Sequence, residues 1–226
     1  MTTKKRVGIL ISGRGTNMQA LIDACQDVSY PAEIVSVISN RPDAPGLGRA
    51  RDAGIATVTV DHTKYETREP FERALHQALL DDKIELICCA GWMRLLTSAF
   101  VDRWRNRQLN IHPSLLPAFK GLNTHQRVIE AGAKISGCTV HFVREEMDAG
   151  PIVAQGAVPI SPSDTPETLA NRILQVEHKI YPHALRLVAS GAVRVVGESV
   201  IHTNAPSNIA QSLFSPPLQP VSHETD

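Results

Sequence analysis

The sequence predicts an α/β protein built on a doubly wound, mainly parallel sheet with helices on both faces. Three observations carry that expectation. Short apolar runs alternate with segments of helical spacing along most of the 226 residues, the order that strand, crossover helix, strand units require. Residues 84–90 are apolar except for Glu85, as in a strand covered on both faces. The first strand also runs straight into Gly13-Arg14-Gly15 ahead of a helix, which is how such sheets aim backbone N–H groups at an anion.

Taken in order, residues 6–12 read as the first strand and residues 18–26 as the first helix, with Gly13-Arg14-Gly15-Thr16-Asn17 between them. A dinucleotide fingerprint would need a third glycine where Met18 stands. It would also need an acid after the second strand, where residues 34–39 run into Asn40 and Arg41. No Walker lysine follows the loop. The loop suits a mononucleotide-like phosphate rather than NAD or ATP, with an unliganded turn as the plainer alternative. A helix spans 45–54 and stops at Gly54, residues 56–60 are the third strand, and 67–82 form a helix with Phe71, Leu75, Ala78 and Leu79 on one face.

After the apolar run at 84–90 comes Gly91-Trp92-Met93-Arg94-Leu95-Leu96, either the lining of a pocket for a flat heterocycle or the first turn of a core helix. Residues 109–111 are a short strand, 124–133 a helix ended by Gly132, and 137–143 a strand carrying His141 in an alternating pattern. Residues 152–160 are the last long strand. Pro166 opens a final helix whose core face is Leu169, Ile173, Val176 and Ile180, with Glu177 at its edge, by default a solvated charge. Residues 193–196 fit a small edge strand. From Thr203 onward Pro, Ser, Asn and Gln dominate, as in a flexible tail. The expected organisation is one domain over 1–202, with a phosphate-binding βα half to about 100 and a catalytic half from 101, then a tail at 203–226.

Lys plus Arg and Asp plus Glu are 23 each and the pI is about 7.1. That balance gives no reason to propose nucleic acid or an anionic membrane as partner. Small molecules are the expected partners, in a monomer or a homodimer. Cys25, Cys88, Cys89 and Cys138 form no Cys-x-x-Cys pair, so buried reduced thiols in a cytoplasmic protein are expected. No apolar run approaches the length of a membrane span. No His pair stands four residues apart with an acid in the zincin manner and no Gly-x-Ser-x-Gly elbow occurs, so neither a metal nor a serine hydrolase is expected.

The most informative stretch is Asn110-Ile111-His112-Pro113-Ser114-Leu115-Leu116-Pro117. Asn110 and His112 are two apart on a strand and therefore share a face, while Pro113 and Pro117 force the chain out of the sheet. A neutral donor beside a titratable one suits a developing oxyanion; a capping Asn and a structural His are the plainer reading. Asp148, in Arg144-Glu145-Glu146-Met147-Asp148-Ala149-Gly150-Pro151, would favour the imidazolium if it reached His112. The glycine loop, the 91–96 segment and Asn110/His112 all fall at the carboxyl ends of strands, where such sheets collect ligands.

Together, Ser12-Gly13-Arg14-Gly15-Thr16-Asn17, residues 91–96, residues 110–117, and Val140-His141-Phe142 with Asp148-Ala149-Gly150-Pro151 closely resemble the glycinamide ribonucleotide formyltransferases over about residues 6–196. The resemblance implies formyl transfer from 10-formyltetrahydrofolate, as co-substrate, to the amine of glycinamide ribonucleotide in purine biosynthesis, without a metal. It implies Asn110, His112 and Asp148 as catalytic residues. It implies Gly15, Thr16, Asn17, Leu174, Gln175, Val176 and Glu177 around the ribonucleotide. Arg68, Met93, Arg94, Leu95, Leu96, Asn110, Arg144, Glu145, Glu146, Met147 and Asp148 would surround the folate. The family's version of the proline turn carries a cis bond at Leu116–Pro117, which this sequence allows. Asn123 stands where some members place a histidine, and the resemblance assigns it no proton-handling role. A methionyl-tRNA formyltransferase would be expected to add a basic C-terminal domain, and a formyltetrahydrofolate hydrolase a regulatory N-terminal one. A catalytically silent binding module would leave Asn110, His112 and Asp148 unexplained.

Overall fold

The computed structural model describes residues 3–203 and Ser215; the tail expected at 203–226 lies outside the described residues apart from Thr203 and Ser215. A seven-stranded sheet has the order β3-β2-β1-β4-β5-β6-β7. Its strands are β1 (Lys5–Ile11), β2 (Ala32–Ser39), β3 (Ala56–Thr59), β4 (Leu86–Cys89), β5 (Gln108–His112), β6 (Ile135–Phe142) and β7 (Ile152–Pro159). The first five pair in parallel, and β6 is antiparallel to both of its neighbours. The mainly parallel expectation holds, with its antiparallel edge beside residues 110–117.

Six helices cover the sheet: α1 (Thr16–Cys25), α2 (Pro45–Asp52), α3 (Arg68–Asp81), α4 (Ser98–Arg103), α5 (Thr124–Glu130) and α6 (Pro166–Ala189). Strand alternation decides which helix meets which face. Val7, Ile9 and Ile11 of β1 join one core with Met18 and Leu21 of α1, Leu47 of α2 and Tyr181 and Leu185 of α6. Leu10 of the same strand joins the opposite core with Phe71, Leu75 and Leu79 of α3, Phe100 of α4 and Trp104 at the C-cap of α4. A third cluster joins Val128 of α5, Cys138, Val158, Leu169 and Ile173.

Sequence and structure part in three places. The first helix starts at Thr16, so Thr16 and Asn17 belong to its first turn rather than to the loop. Residues 92–96 are not a helical turn, and the short helix α4 follows them instead. Its six residues are too few to announce a helix by periodicity. The expected edge strand β8 (Val193–Val196) exists, but it pairs with β9 (Ser199–His202) in a separate hairpin. Cys88, Cys89 and Cys138 are buried free thiols and Cys25 is half-buried. Among the described residues no helix is long and apolar enough to cross a membrane.

Two devices set the upper edge of the sheet. Gly15 caps α1 at φ 71°, a left-handed conformation that glycine adopts at low cost. The N-terminus of α2 presses on the same turn: Gly46 N–H donates to the Gly13 carbonyl at 3.0 Å. A Cβ at Gly46 would lie 2.6 Å from Ile11 Cδ1 and 2.9 Å from the Gly13 carbonyl oxygen. On the other side of the sheet edge, Tyr181 of α6 places its hydroxyl 3.1 Å from the Cys89 carbonyl and 3.2 Å from that of Leu109. That contact seats the long helix across β4 and β5. Gly46→Ala should therefore cost about 1–3 kcal/mol by overpacking, read as a lower urea midpoint with an unchanged m-value.

Candidate active site

The site is assembled where β1, β4 and β5 end. After β5 the chain makes a turn with a cis Leu116–Pro117 peptide, as the family resemblance implied. Thr139 of the neighbouring strand holds the turn: its hydroxyl donates to the Ser114 carbonyl at 2.7 Å and accepts from Leu116 N–H at 3.0 Å. Gln155 of β7 donates to the Leu116 carbonyl at 2.9 Å, and Ser114 Oγ donates to the Ala118 carbonyl at 2.7 Å. The turn that two prolines exclude from the sheet is thus satisfied by side chains of the two antiparallel strands.

Asn110, His112 and Asp148 do come together, around a fourth residue. His112 is 6% exposed; its Nε2–H donates to the Phe119 carbonyl at 3.0 Å, which fixes the ring. Its Nδ1 then faces Asp148 Oδ2 at 3.4 Å. The other carboxylate oxygen of Asp148 lies 3.8 Å from His141 Nε2, and Gly121 N–H donates to Oδ2 at 2.9 Å. His141 is the register partner of Asn110 across β5 and β6. Burial lowers its pKa below the ordinary histidine value, so it is the neutral ring. With Nδ1–H donating to the Phe142 carbonyl at 3.1 Å, its Nε2 lone pair accepts one Asn110 amide hydrogen at 3.3 Å. The amide is oriented, and its second hydrogen remains for another acceptor. Sequence reasoning left His141 out of the site, although the alternation within 137–143 carried it; only the antiparallel register places it opposite Asn110.

A second polar centre lies between α1 and α6. Asn17 Nδ2 donates to Glu177 Oε2 at 2.6 Å, and Asn17 Oδ1 is buried without a partner among the described residues. Glu177 is buried, not the solvated helix charge that its position suggested. Burial raises its pKa, opposed by the hydrogen bond from Asn17. Of the neighbouring residues, Leu174 is half-buried, Gln175 is exposed, and Val176 packs toward Gly156 of β7.

The 91–97 segment is held at both ends. Ser12 Oγ donates to Asn40 Oδ1 at 2.6 Å and accepts from Met93 N–H at 2.9 Å. Buried Glu72 accepts from Thr97 N–H at 2.7 Å and from its hydroxyl. Trp92 stacks on Phe71, and Arg94 lies over the same Phe71 ring, 5.3 Å from its centre. Fixed in this way, the segment leaves Met93 68% and Leu95 57% exposed, and Leu122 and Met147 are exposed on the loops beside Asp148. These apolar side chains suit a pocket rim, not a core helix. Lys120 and Glu146 tie those two loops together at 2.7 Å. Arg68 is exposed at the start of α3, and Glu145 is exposed on its loop.

The formyl transferase family profile matches residues 5–185. A phosphoribosylglycinamide formyltransferase from Haemophilus influenzae is 44% identical over 191 residues, 84% of this chain and 90% of that protein. The chain belongs to that formyltransferase family. It is also 52% identical over 194 residues to the chicken trifunctional purine biosynthetic protein adenosine-3, covering 86% of this chain but only 19% of that longer protein. The crystal structure of glycinamide ribonucleotide transformylase 1 from Symbiobacterium toebii superposes with a TM-score of 0.86 at 46% identity, covering 89% of this chain and 95% of that one.

Within this formyltransferase, Asn123 has a backbone reason for its identity: it is the N-cap of α5 at φ 55° and ψ 35°, a left-handed position that asparagine tolerates well. The buried Glu177 has a thermodynamic consequence. Its folded-state pKa is raised, so between the unfolded value near 4.5 and the folded value the native state binds more protons than the unfolded one. That group's stabilising contribution is complete below the unfolded value and is lost as pH rises through the folded one. Glu177→Gln should therefore gain stability relative to the parent as pH climbs above about 4.5, measured as diverging urea midpoints between pH 4 and 8. Parallel curves would show that Glu177 is not the group responsible.

Proposed function

We propose that this chain transfers the formyl group of 10-formyltetrahydrofolate to the amine of glycinamide ribonucleotide, and that Asn110, His112 and Asp148 carry the chemistry. The observation that carries the reading is the arrangement around His112. Both ring nitrogens face oxygen acceptors, the Phe119 carbonyl at 3.0 Å and the Asp148 carboxylate at 3.4 Å, which a ring with two N–H donors satisfies. Nδ1 is the working nitrogen, because Nε2 is committed to the backbone.

In this reading the substrate amine attacks the formyl carbon directly, with no covalent enzyme intermediate. The formyl oxygen becomes an oxyanion and receives the free Asn110 amide hydrogen and the His112 Nδ1–H. Asp148 is the counter-ion that keeps the imidazolium in place once substrate separates the two. The attacking nitrogen then loses a proton while the folate nitrogen gains one, through His112 or an ordered water, and the bond between the formyl carbon and the folate nitrogen breaks as the oxyanion returns to a carbonyl. Neither redox chemistry nor a metal enters that balance.

Both substrates have matching surroundings. The glycine turn and the first turn of α1, pressed by α2, present backbone N–H groups to the ribonucleotide phosphate. Asn17 and Glu177 offer acceptors to the substrate's own N–H or hydroxyl donors, with Leu174 beside them. Gln175 and Val176 would contribute through α6's backbone placement. The apolar rim of Met93, Leu95 and Met147, with Leu96 behind it, suits the flat pterin, while Arg68 and Arg94 suit the anionic tail. Holding both reactants in line supplies much of the rate.

The deciding experiment is formyl transfer followed by folate absorbance, with His112→Ala alongside. The variant should lose turnover by about 10²-fold or more while both substrates still bind. Wild-type protein that binds folate without transferring its formyl group to glycinamide ribonucleotide would end this reading. Asn110→Asp replaces an amide donor by an ionised acceptor and should cost about 10²–10³ in kcat. An unchanged kcat would remove Asn110 from the oxyanion's partners.

A further inference from the structure

The β8–β9 hairpin stands outside the main sheet, and the chemistry above makes no use of it. Its turn carries Gly197, at φ 60°, and Glu198. Glu198 reaches back to the segment that leads into the Asp148 loop. Its Oε2 accepts from Arg144 Nε at 2.7 Å and its Oε1 from Arg105 Nη2 at 2.5 Å. Arg144 also donates from Nη2 to Asn106 Oδ1 at 2.8 Å and from Nη1 to the Val143 carbonyl at 3.0 Å. All three guanidinium nitrogens of Arg144 therefore have partners: Glu198 of the hairpin, Asn106 ahead of β5 and its own chain at Val143. The Arg144 side chain is 9% exposed against 56% for Glu198, so the arginine is the sheltered member of the pair.

We propose that Glu198 is a positioning residue for folate: by holding Arg144 it sets the conformation of residues 144–148 before the ligand arrives, and Arg144 meets folate through its backbone alone. This rests on the folate reading of that loop given above. Arg144 lies two residues after the end of β6 and four before Asp148. Pinning it shortens the free part of the loop to the stretch that carries Met147 and the carboxylate. The hairpin is itself anchored. Val193 is buried, Thr203 N–H donates to the Ala192 carbonyl at 2.8 Å, and Thr203 Oγ1 donates to the Gly191 carbonyl at 2.9 Å. Without Glu198, two arginines would face each other with no carboxylate between them, and the loop would sample more conformations. Apparent affinity falls in proportion to the loss of the binding-competent fraction.

The test uses Glu198→Ala and the isosteric Glu198→Gln in the full chain. The expected result is a KM for 10-formyltetrahydrofolate raised by about three- to tenfold, with kcat and the KM for glycinamide ribonucleotide changed less than about twofold. Amide hydrogen exchange of residues 144–148 in ligand-free protein should quicken in both variants. Adding Arg144→Ala to Glu198→Ala should raise the folate KM no further than the worse single change, since each removes the same contact. Unchanged exchange would overturn the inference even if the wild-type protein proved not to transfer formyl groups. An unchanged folate KM in an active enzyme would overturn it as well. So would a fall in kcat with both KM values raised alike and a lower Tm, the mark of a merely structural role. If Glu198→Ala fails to fold, Glu198→Gln supplies the same readings.

Discussion

The Asp148 carboxylate is where three separately built parts of the molecule meet. One oxygen faces His112 at the end of β5 and accepts from Gly121 on the loop after it; the other faces His141 on β6. A buried carboxylate must find donors such as the Gly121 N–H and the His112 ring, because an uncompensated charge at that depth would be costly. The backbone shows what the placement costs: Asp148 sits at φ 54°, and Phe119 and Asn123 in the facing loop at 55° each. Left-handed residues other than glycine persist where their surroundings over-determine them, and they concentrate at functional sites. Here the surroundings are the His112 ring and Gly121 N–H against the carboxylate, together with the Lys120–Glu146 pair.

The sheet supplies the remainder. In the strand order β1 is flanked by β2 and β4, so the winding reverses beside it, and the carboxyl ends of β1 and β4 open a crevice between divergent crossovers. The glycine turn leaves from one of those ends and the 91–97 segment from the other, bridged by Ser12. On the neighbouring side the sheet turns antiparallel at β6, which brings His141 directly opposite Asn110. The change of strand direction thus builds a four-residue polar site beside a crevice that the parallel strands leave open.

Much of this was legible along the chain. The alternation of strand and helix, the Gly13–Gly15 turn, the two-residue spacing of Asn110 and His112, and the helix stops at Gly54 and Gly132 follow from local rules with short range: steric limits on φ, side-chain alternation, and the missing N–H of proline. Those rules need only neighbours in sequence. They fail where the deciding contact is distant. Glu177 looked like a solvated helix charge and is buried because Asn17, 160 residues away, supplies its partner. The 91–96 segment could have opened a core helix, and it stays irregular with Ser12 holding the Met93 N–H and Glu72 holding the Thr97 N–H just beyond it.

The fold class, the strand ends that converge on the crevice, and the residue types available for chemistry were thus readable along the chain. Each of these depends on pattern within a few residues. Only the tertiary structure decided that His141 orients Asn110, that Nδ1 rather than Nε2 of His112 faces the carboxylate, and that the guanidinium of Arg144 turns to Glu198. Those outcomes depend on strand register and on which partner a buried polar group finds. Neither is encoded within one segment, because burial leaves each group a limited set of partners and the whole fold determines which of them is in reach.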